Sequence, residues 1–308
     1  MSPSGSQLEL HHGDYTAVVT EVGATLRELR VETRPLVVGF GPDEIRPAHR
    51  GAVLAPWPNR IADGRYSFGG VSRQLPVTEP ARGNALHGLV TWVRWQVVEH
   101  EAGHAVLRHR LVPQPGYPHP LELTVRYRLD DDGLHWSVEA SNTGDSAAPY
   151  GCAPHPYLVA GDGRVDDWTL ELPASEYLEV TPDRLLPVER ASVDGTALDF
   201  RDGRRVGDTF VDHAFTALGH DPDGRSRARL RDGTGQGVEM SWDATRCPWI
   251  QIHTGDRPGE AAHRAGMAVE PMTCPPDAFN SGTDVVALAP GASHQATWTI
   301  SALSPSSH

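Results

Sequence analysis

The sequence predicts an all-β protein built as a large antiparallel β-sandwich, and three observations predict it. Apolar and polar residues alternate with a period of two along the longest patterned runs. Asp-Gly pairs recur at positions 63, 132, 162, 194, 202, 223 and 232, and 31 Gly with 26 Pro punctuate the gaps. No segment carries the periodicity of a long amphipathic helix.

In chain order, strands are expected at Leu8 to Leu10, Ala17 to Val22, Thr25 to Val31, Trp95 to Val98 and Ala105 to Leu111. The clearest pair follows. Leu121, Leu123, Val125, Tyr127 and Leu129 alternate with Glu122, Thr124, Arg126 and Arg128, and Asp131-Asp132-Gly133 then turns the chain. Leu134, Trp136, Val138 and Ala140 alternate with His135, Ser137 and Glu139 on the way back. Successive side chains of a strand point to opposite sides, so this hairpin has one buried face. A second hairpin runs through Ala228 and Leu230, turns near Asp232-Gly233 and returns through Val238, Met240 and Trp242. Met267-Ala268-Val269 reads as the end of a buried strand, and Ala296 to Ile300 as the last strand. Without a linker, repeat or low-complexity tract, one sandwich domain over 1–303 with a frayed tail over 304–308 is the economical organisation.

Composition narrows the chemistry. The 308 residues, 39% of them hydrophobic, suffice for a large core. All 27 basic residues are arginine, which excludes lysine Schiff bases, a PLP anchor and a Walker-type phosphate loop. A net charge of -13 without a basic block disfavours nucleic acid or an anionic membrane and leaves a small neutral ligand as the expected partner. Cys152, Cys247 and Cys274 are odd in number and widely spaced, so neither a disulfide framework nor a CxxC zinc site is written here. Residues 1–7 lack the basic and apolar regions of a signal peptide, and no apolar run approaches membrane-spanning length. A reduced, cytoplasmic, soluble protein is expected.

Five stretches carry side chains with chemistry to offer. His100-Glu101-Ala102-Gly103-His104 matches the HExxH zinc signature, which needs a helix to bring both histidines to one face. Strand-like runs flank it, so a hairpin turn that splays the histidines apart is expected and no metal is assigned. Asn59 and Arg60 follow Pro56-Trp57-Pro58, a segment no helix contains, so the guanidinium is either a rigid polar clamp or half of a loop salt bridge. His87 precedes Gly88, whose missing side chain lets a ligand or another backbone approach; a satisfied core histidine is the alternative. Pro154 and Pro156 bracket His155 and fix an extended backbone, which suits a positioned acid or base, and Tyr157 would share its face as a wall for a sugar ring. Glu270 ends an apolar run, where ionisation is costly unless polar partners converge; a strand-end glutamate reaching solvent is the alternative.

Together these stretches resemble the aldose 1-epimerase (galactose mutarotase) family, collinearly and over nearly the whole chain. The family's Asn-Arg-Ile and following Gly are similar to Asn59-Arg60-Ile61 and Gly64, its Leu-His-Gly to Leu86-His87-Gly88, and its His-x-Tyr to His155-Pro156-Tyr157. A family Asp before an apolar pair is similar to Asp212 in Val211-Asp212-His213-Ala214-Phe215, and Gln-x-x-Thr-Gly is similar to Gln251-Ile252-His253-Thr254-Gly255. The late family Glu, followed by Pro-Asp-Ala and Asn, is similar to Glu270 with Pro276-Asp277-Ala278 and Asn280. Where many members continue with Phe-Asn-Leu and Thr-Gln, this chain reads Leu158-Val159-Ala160 and Pro271-Met272-Thr273, which points to a divergent bacterial branch.

The resemblance implies the galactose mutarotase-like supersandwich and an aldose 1-epimerase that interconverts the α and β anomers of a free aldose. It implies Glu270 as base and His155 as acid, each tuned toward neutrality, with Asn59, Arg60, His87, Tyr157, Asp212 and Gln251 binding substrate. No metal and no cofactor is implied. The expected partner is a small-molecule sugar, with neither nucleic acid nor membrane, and the chain is expected as a monomer or homodimer. A non-catalytic carbohydrate-binding or sensor protein on the same fold is the alternative, and the presence of a base opposite an acid separates the two. An unphosphorylated pyranose is expected, because Arg60 is given to the ring, Arg204-Arg205 to a turn, and Arg225, Arg227, Arg229 and Arg231 to a solvated strand face. A 6-sulfonated sugar, associated with some proteins of that branch, is the exception.

Overall fold

Alternation becomes register in the largest sheet. Leu121–Asp130 pairs with Gly133–Asn142 so that Leu129 faces Leu134 and Asp130 faces Gly133, leaving Asp131 and Asp132 as the turn. Gly133 takes a φ of 115°, and a β-carbon there would stand 2.3 Å from the carbonyl oxygen of Ile300, so glycine is required for close approach to the neighbouring strand. Leu121, Leu123, Val125 and Tyr127 are buried while Arg126 and Arg128 are exposed. Each fully buried aliphatic side chain contributes roughly 1.5–3 kcal/mol relative to exposure.

The structure, a computed structural model, describes residues 2–305. Strands take 49% of the chain and helices 3%. The hairpin lies within a nine-stranded antiparallel sheet ordered Gln96–Glu101, His104–Leu111, Leu121–Asp130, Gly133–Asn142, Ser293–Leu303, Gly237–Trp242, Ser226–Arg231, Thr169–Glu171 and Arg204–Arg205. A six-stranded antiparallel sheet runs Tyr157–Leu158, Met267–Met272, Trp249–His253, Asp212–Leu218, Ala174–Val180 and Pro187–Ser192. A four-stranded sheet runs Gln7–His12, Tyr15–Thr20, Thr25–Val31 and Arg34–Pro35. Their inner faces share one core, with Trp136, Trp242 and Trp298 from the first, Phe215, Ile250 and Val269 from the second, and Leu10, Val19 and Leu29 from the third. Tyr127 ties the large sheet to the four-stranded layer: its hydroxyl donates to the Ala24 carbonyl at 2.7 Å while its ring packs 5.0 Å from Trp136. This is the large antiparallel sandwich that the alternation predicts.

Several local expectations change. The second strand stops at Thr20, and Val22 instead bridges to Arg94. Arg204-Arg205, expected in a turn, is a short strand on Thr169 and Leu170. Arg227 and Arg229, expected on a solvated face, keep only 17% and 20% of their side-chain surface, because Asp221 and Glu239 pair with both. The HExxH segment is a hairpin, with Glu101 opposite His104 and Ala102-Gly103 at the turn, so the helix a zinc signature needs is not formed. Cys152, Cys247 and Cys274 are buried and free. No helix among the described residues is long and apolar enough to cross a membrane. Of the expected frayed tail, Ser304 and Pro305 follow the last strand and positions 306–308 lie outside the described residues.

Candidate active site

Glu270 lies inside a strand rather than at its end. Met267–Met272 continues through Pro271, which stands beyond the two-residue pairing with Tyr157–Leu158. Gln251 is directly opposite Glu270 in the next strand, and one strand further on Asp212 accepts a hydrogen bond from Nε2 of Gln251 at 2.6 Å. These side chains line a cavity of about 150 Å³. The cavity is therefore sized for a small ligand.

His155 enters from another strand. Its proline neighbours hold the backbone extended, Ala153–His155 pairs with Ala52–Leu54, and the His155 carbonyl accepts from Gly51 N–H at 2.7 Å. The two catalytic candidates meet there: Nε2 of His155 is 3.3 Å from Oε1 of Glu270, with 6% and 2% of their side chains exposed. Glu270 does not reach solvent, and its Oε2 has no hydrogen-bond partner. The Tyr157 ring lies 5.4 Å from that of His155 and lines the same cavity.

The third wall is the strand pair Arg60–Ala62 and Asn84–Leu86. The N–H of His87 donates to the Asn59 carbonyl at 2.9 Å, and the Asn59 side chain accepts from Arg60 N–H at 2.9 Å. Gly88 serves a backbone neighbour, since a β-carbon there would stand 2.0 Å from the Ala55 carbonyl oxygen. Arg60 is both clamp and salt bridge: it donates to both oxygens of Glu79 at 3.0 and 3.1 Å and stands 4.0 Å from Asp212. All eight site residues expected from the sequence, Asn59, Arg60, His87, His155, Tyr157, Asp212, Gln251 and Glu270, line this one cavity.

Burial sets the protonation. Glu270 is pushed well above the usual carboxylate range by desolvation and then by the Asp212 charge, with Arg60 opposing. His155 is pushed well below 6.5 by desolvation and by His49. The carboxyl moves toward neutrality as expected, whereas the imidazole moves the other way, because a charge on either buried side chain is costly. Burial thus favours the uncharged form of each partner. Glu79 goes below the usual range although burial opposes it, since Arg60 and Asn84 bond to its charged form.

Sequence reasoning missed His49, His253 and Arg257, which also line the cavity, and Glu79, which holds Arg60. His253 lies inside a quoted motif, so its proximity was readable; His49 and Arg257 come from turns whose route only the fold reveals. Among the described residues, the one group of three potential metal ligands within reach of a common point is Asp130, Asp132 and His135. It lies at the hairpin turn, away from the cavity, with Asp130 already bonded by His135 at 2.8 Å.

A sequence profile described as aldose 1-epimerase matches residues 6–301. The chain is 36% identical over 304 residues to the uncharacterized protein YihR of Escherichia coli K12, covering 97% of this chain and 94% of the relative. It is 29% identical to the galactose mutarotase of Mus musculus, covering 82% of this chain and 80% of the relative. Among solved structures, an aldose epimerase homologue from C. elegans superimposes with a TM-score of 0.82 at 22% identity, covering 97% and 99% of the two chains.

Proposed function

Because the chain belongs to the aldose 1-epimerase family, we propose that it is an aldose 1-epimerase acting on a free, unphosphorylated aldose. The observation that carries the reading is the approach of His155 to Glu270 at 3.3 Å at the wall of a half-open polar pocket. A pure binder has no need of that pair.

In the ring-opening direction the Glu270 carboxylate takes the proton of the C1 hydroxyl, and the O1 electrons form the C1=O1 double bond. The C1–O5 bond breaks with its electrons on O5, and His155 gives O5 a proton. Rotation about C1–C2 presents the other face of the aldehyde, and the reverse steps close the ring as the other anomer. The sequence needs one proton shared by the two residues. Burial favours that proton on the carboxyl, and with it on His155 the pair is the working base and acid. Arg60, His87, Asp212 and Gln251 bind hydroxyls, Asn59 orients Arg60, and Tyr157 walls the ring, so that both transfers are in reach.

Charge pairing supports an unphosphorylated substrate. Arg60 is held by Glu79 and Arg257 has Glu260 at 3.4 Å, so each arginine of the cavity already faces a carboxylate. A cytoplasmic location, in monomeric or homodimeric form, belongs to the same proposal. The test is anomer exchange followed by NMR on glucose, galactose and glucose 6-phosphate at equal concentration. Acceleration on a free aldose, abolished in Glu270→Gln, is expected; binding without acceleration would identify a carbohydrate-binding protein, and fastest exchange on the phosphate would overturn the substrate class.

A further inference from the structure

The turn Pro47–His49 is anchored at both ends and strained between them. At its start the buried Arg46 guanidinium donates to Thr25 Oγ1 at 2.5 Å and to the Thr91 carbonyl at 2.7 Å, and lies 4.4 Å over the Trp92 ring. At its end Gly51 accepts from Leu26 N–H at 2.9 Å, and a β-carbon there would stand 1.9 Å from the Leu26 carbonyl oxygen. Gly51 N–H is also the group bonded to the His155 carbonyl, so the turn is fastened directly to the proposed acid. Between the anchors Ala48 and His49 take φ values of 50° and 55°, a region costly for any residue with a β-carbon. Such strain persists where the surroundings over-determine it, and it concentrates at ligand sites.

What the strain achieves is the position of one ring. His49 stands 4.8 Å from His87, nearly edge-on, and 6.2 Å from His155, on the cavity wall. Its Nδ1 is buried without a partner, and its ring makes no hydrogen bond to a protein group among the described residues. Burial, reinforced by Arg46, pushes its pKa down to about 4, so the ring is neutral at working pH. A neutral imidazole offers one donor and one acceptor, which is the complement of a hydroxyl. His87 is neutral for the same reason, burial first and then His49.

We propose that His49 is a substrate-binding residue that, with His87, reads the orientation of one ring hydroxyl and thereby decides which aldose epimer is turned over. The proposal rests on the epimerase reading above and adds a residue outside every motif that supported it. Polar groups placed for a hydroxyl reject the analogue that lacks it there far more strongly than an apolar pocket separates neighbours by size.

The experiment compares the parent protein with His49→Gly and His49→Asn on glucose, galactose, mannose and allose, by exchange NMR. Glycine relieves the left-handed φ, so His49→Gly should melt no lower than the parent, and Asn tolerates that region while keeping a donor and an acceptor. Expected for His49→Gly is a loss of kcat/KM on the best aldose of at least ~10-fold and a ratio to its poorest epimer compressed toward one, with partial recovery in His49→Asn. Equal losses on all four sugars, or none, would leave His49 a packing residue and overturn the proposal. If His49→Gly fails to fold, an unchanged epimer ratio in His49→Phe, which keeps a ring but removes the donor and acceptor, overturns it instead. A parent inactive on every sugar removes the epimerase reading itself, whereas an active parent silenced by Glu270→Gln keeps that reading whatever the His49 variants do.

Discussion

Glu270 and His155 are displaced in opposite directions by one cause, and at the residue scale that has a kinetic consequence. In the proposed mechanism the pair holds a single proton. A second proton arrives only when the imidazole charges, below 6.5, and the last one leaves only above the usual carboxylate value of 4.5. The acid limb of the kcat/KM profile should therefore lie below pH 6.5, as measured by exchange rates from pH 4 to 9; a limb centred above 6.5 would mean that His155 is not held neutral. Replacing Glu270 by Gln keeps the shape of the site and should lower the rate by about 10²-fold or more while sugar binding survives. Near-parent turnover in that variant would remove Glu270 from the mechanism.

At the scale of elements, the long hairpin of Leu121–Asp130 and Gly133–Asn142 was legible because ten-residue alternation leaves one pairing register with a buried face. The short strands Ala52–Leu54, Arg60–Ala62, Asn84–Leu86 and Ala153–His155 were not, since three residues carry no period. Those short strands bear or support much of the site. Their stiffness depends on contacts such as Glu79, whose carboxylate bonds Arg60, Arg82 and Asn84 together. Glu79→Ala removes the carboxylate hydrogen-bonded to Arg60 and leaves the guanidinium only Asp212 at 4.0 Å among the described residues, and breaking a buried pair costs roughly 3–5 kcal/mol. Urea unfolding should show a loss of about that size, discounted for the partial exposure of Arg82; a loss under ~0.5 kcal/mol would mean that Arg60 is held by other groups.

For the whole molecule, the buried and half-buried imidazoles tie stability to pH. His49, His87 and His155 all have folded pKa values below 6.5, chiefly through burial. The unfolded chain takes up protons below pH 6.5 that the folded chain refuses, so stability falls as pH drops from 6.5 toward 4; His49 alone is worth on the order of 3 kcal/mol across that window. Glu270 acts oppositely, because its raised pKa adds stability as pH falls toward 4.5. His109, His119, His213 and His294 are lowered by burial in the same way, so seven losses against one gain give a net fall, readable as declining urea midpoints between pH 6.5 and 4.5. Glu270→Gln should steepen it, and a flat response in both proteins would contradict the buried neutral histidines. By itself the sequence determined the all-β class, the long hairpins and eight residues of the cavity, since alternation and collinear motifs are local properties of the chain. Only the tertiary structure decided that Glu270 is sealed against His155, that Glu79 claims Arg60, and that the strained turn at 46–51 delivers His49. Those contacts join residues far apart in sequence, and burial, which sets their charge, is a property of the assembled sheets and not of any segment.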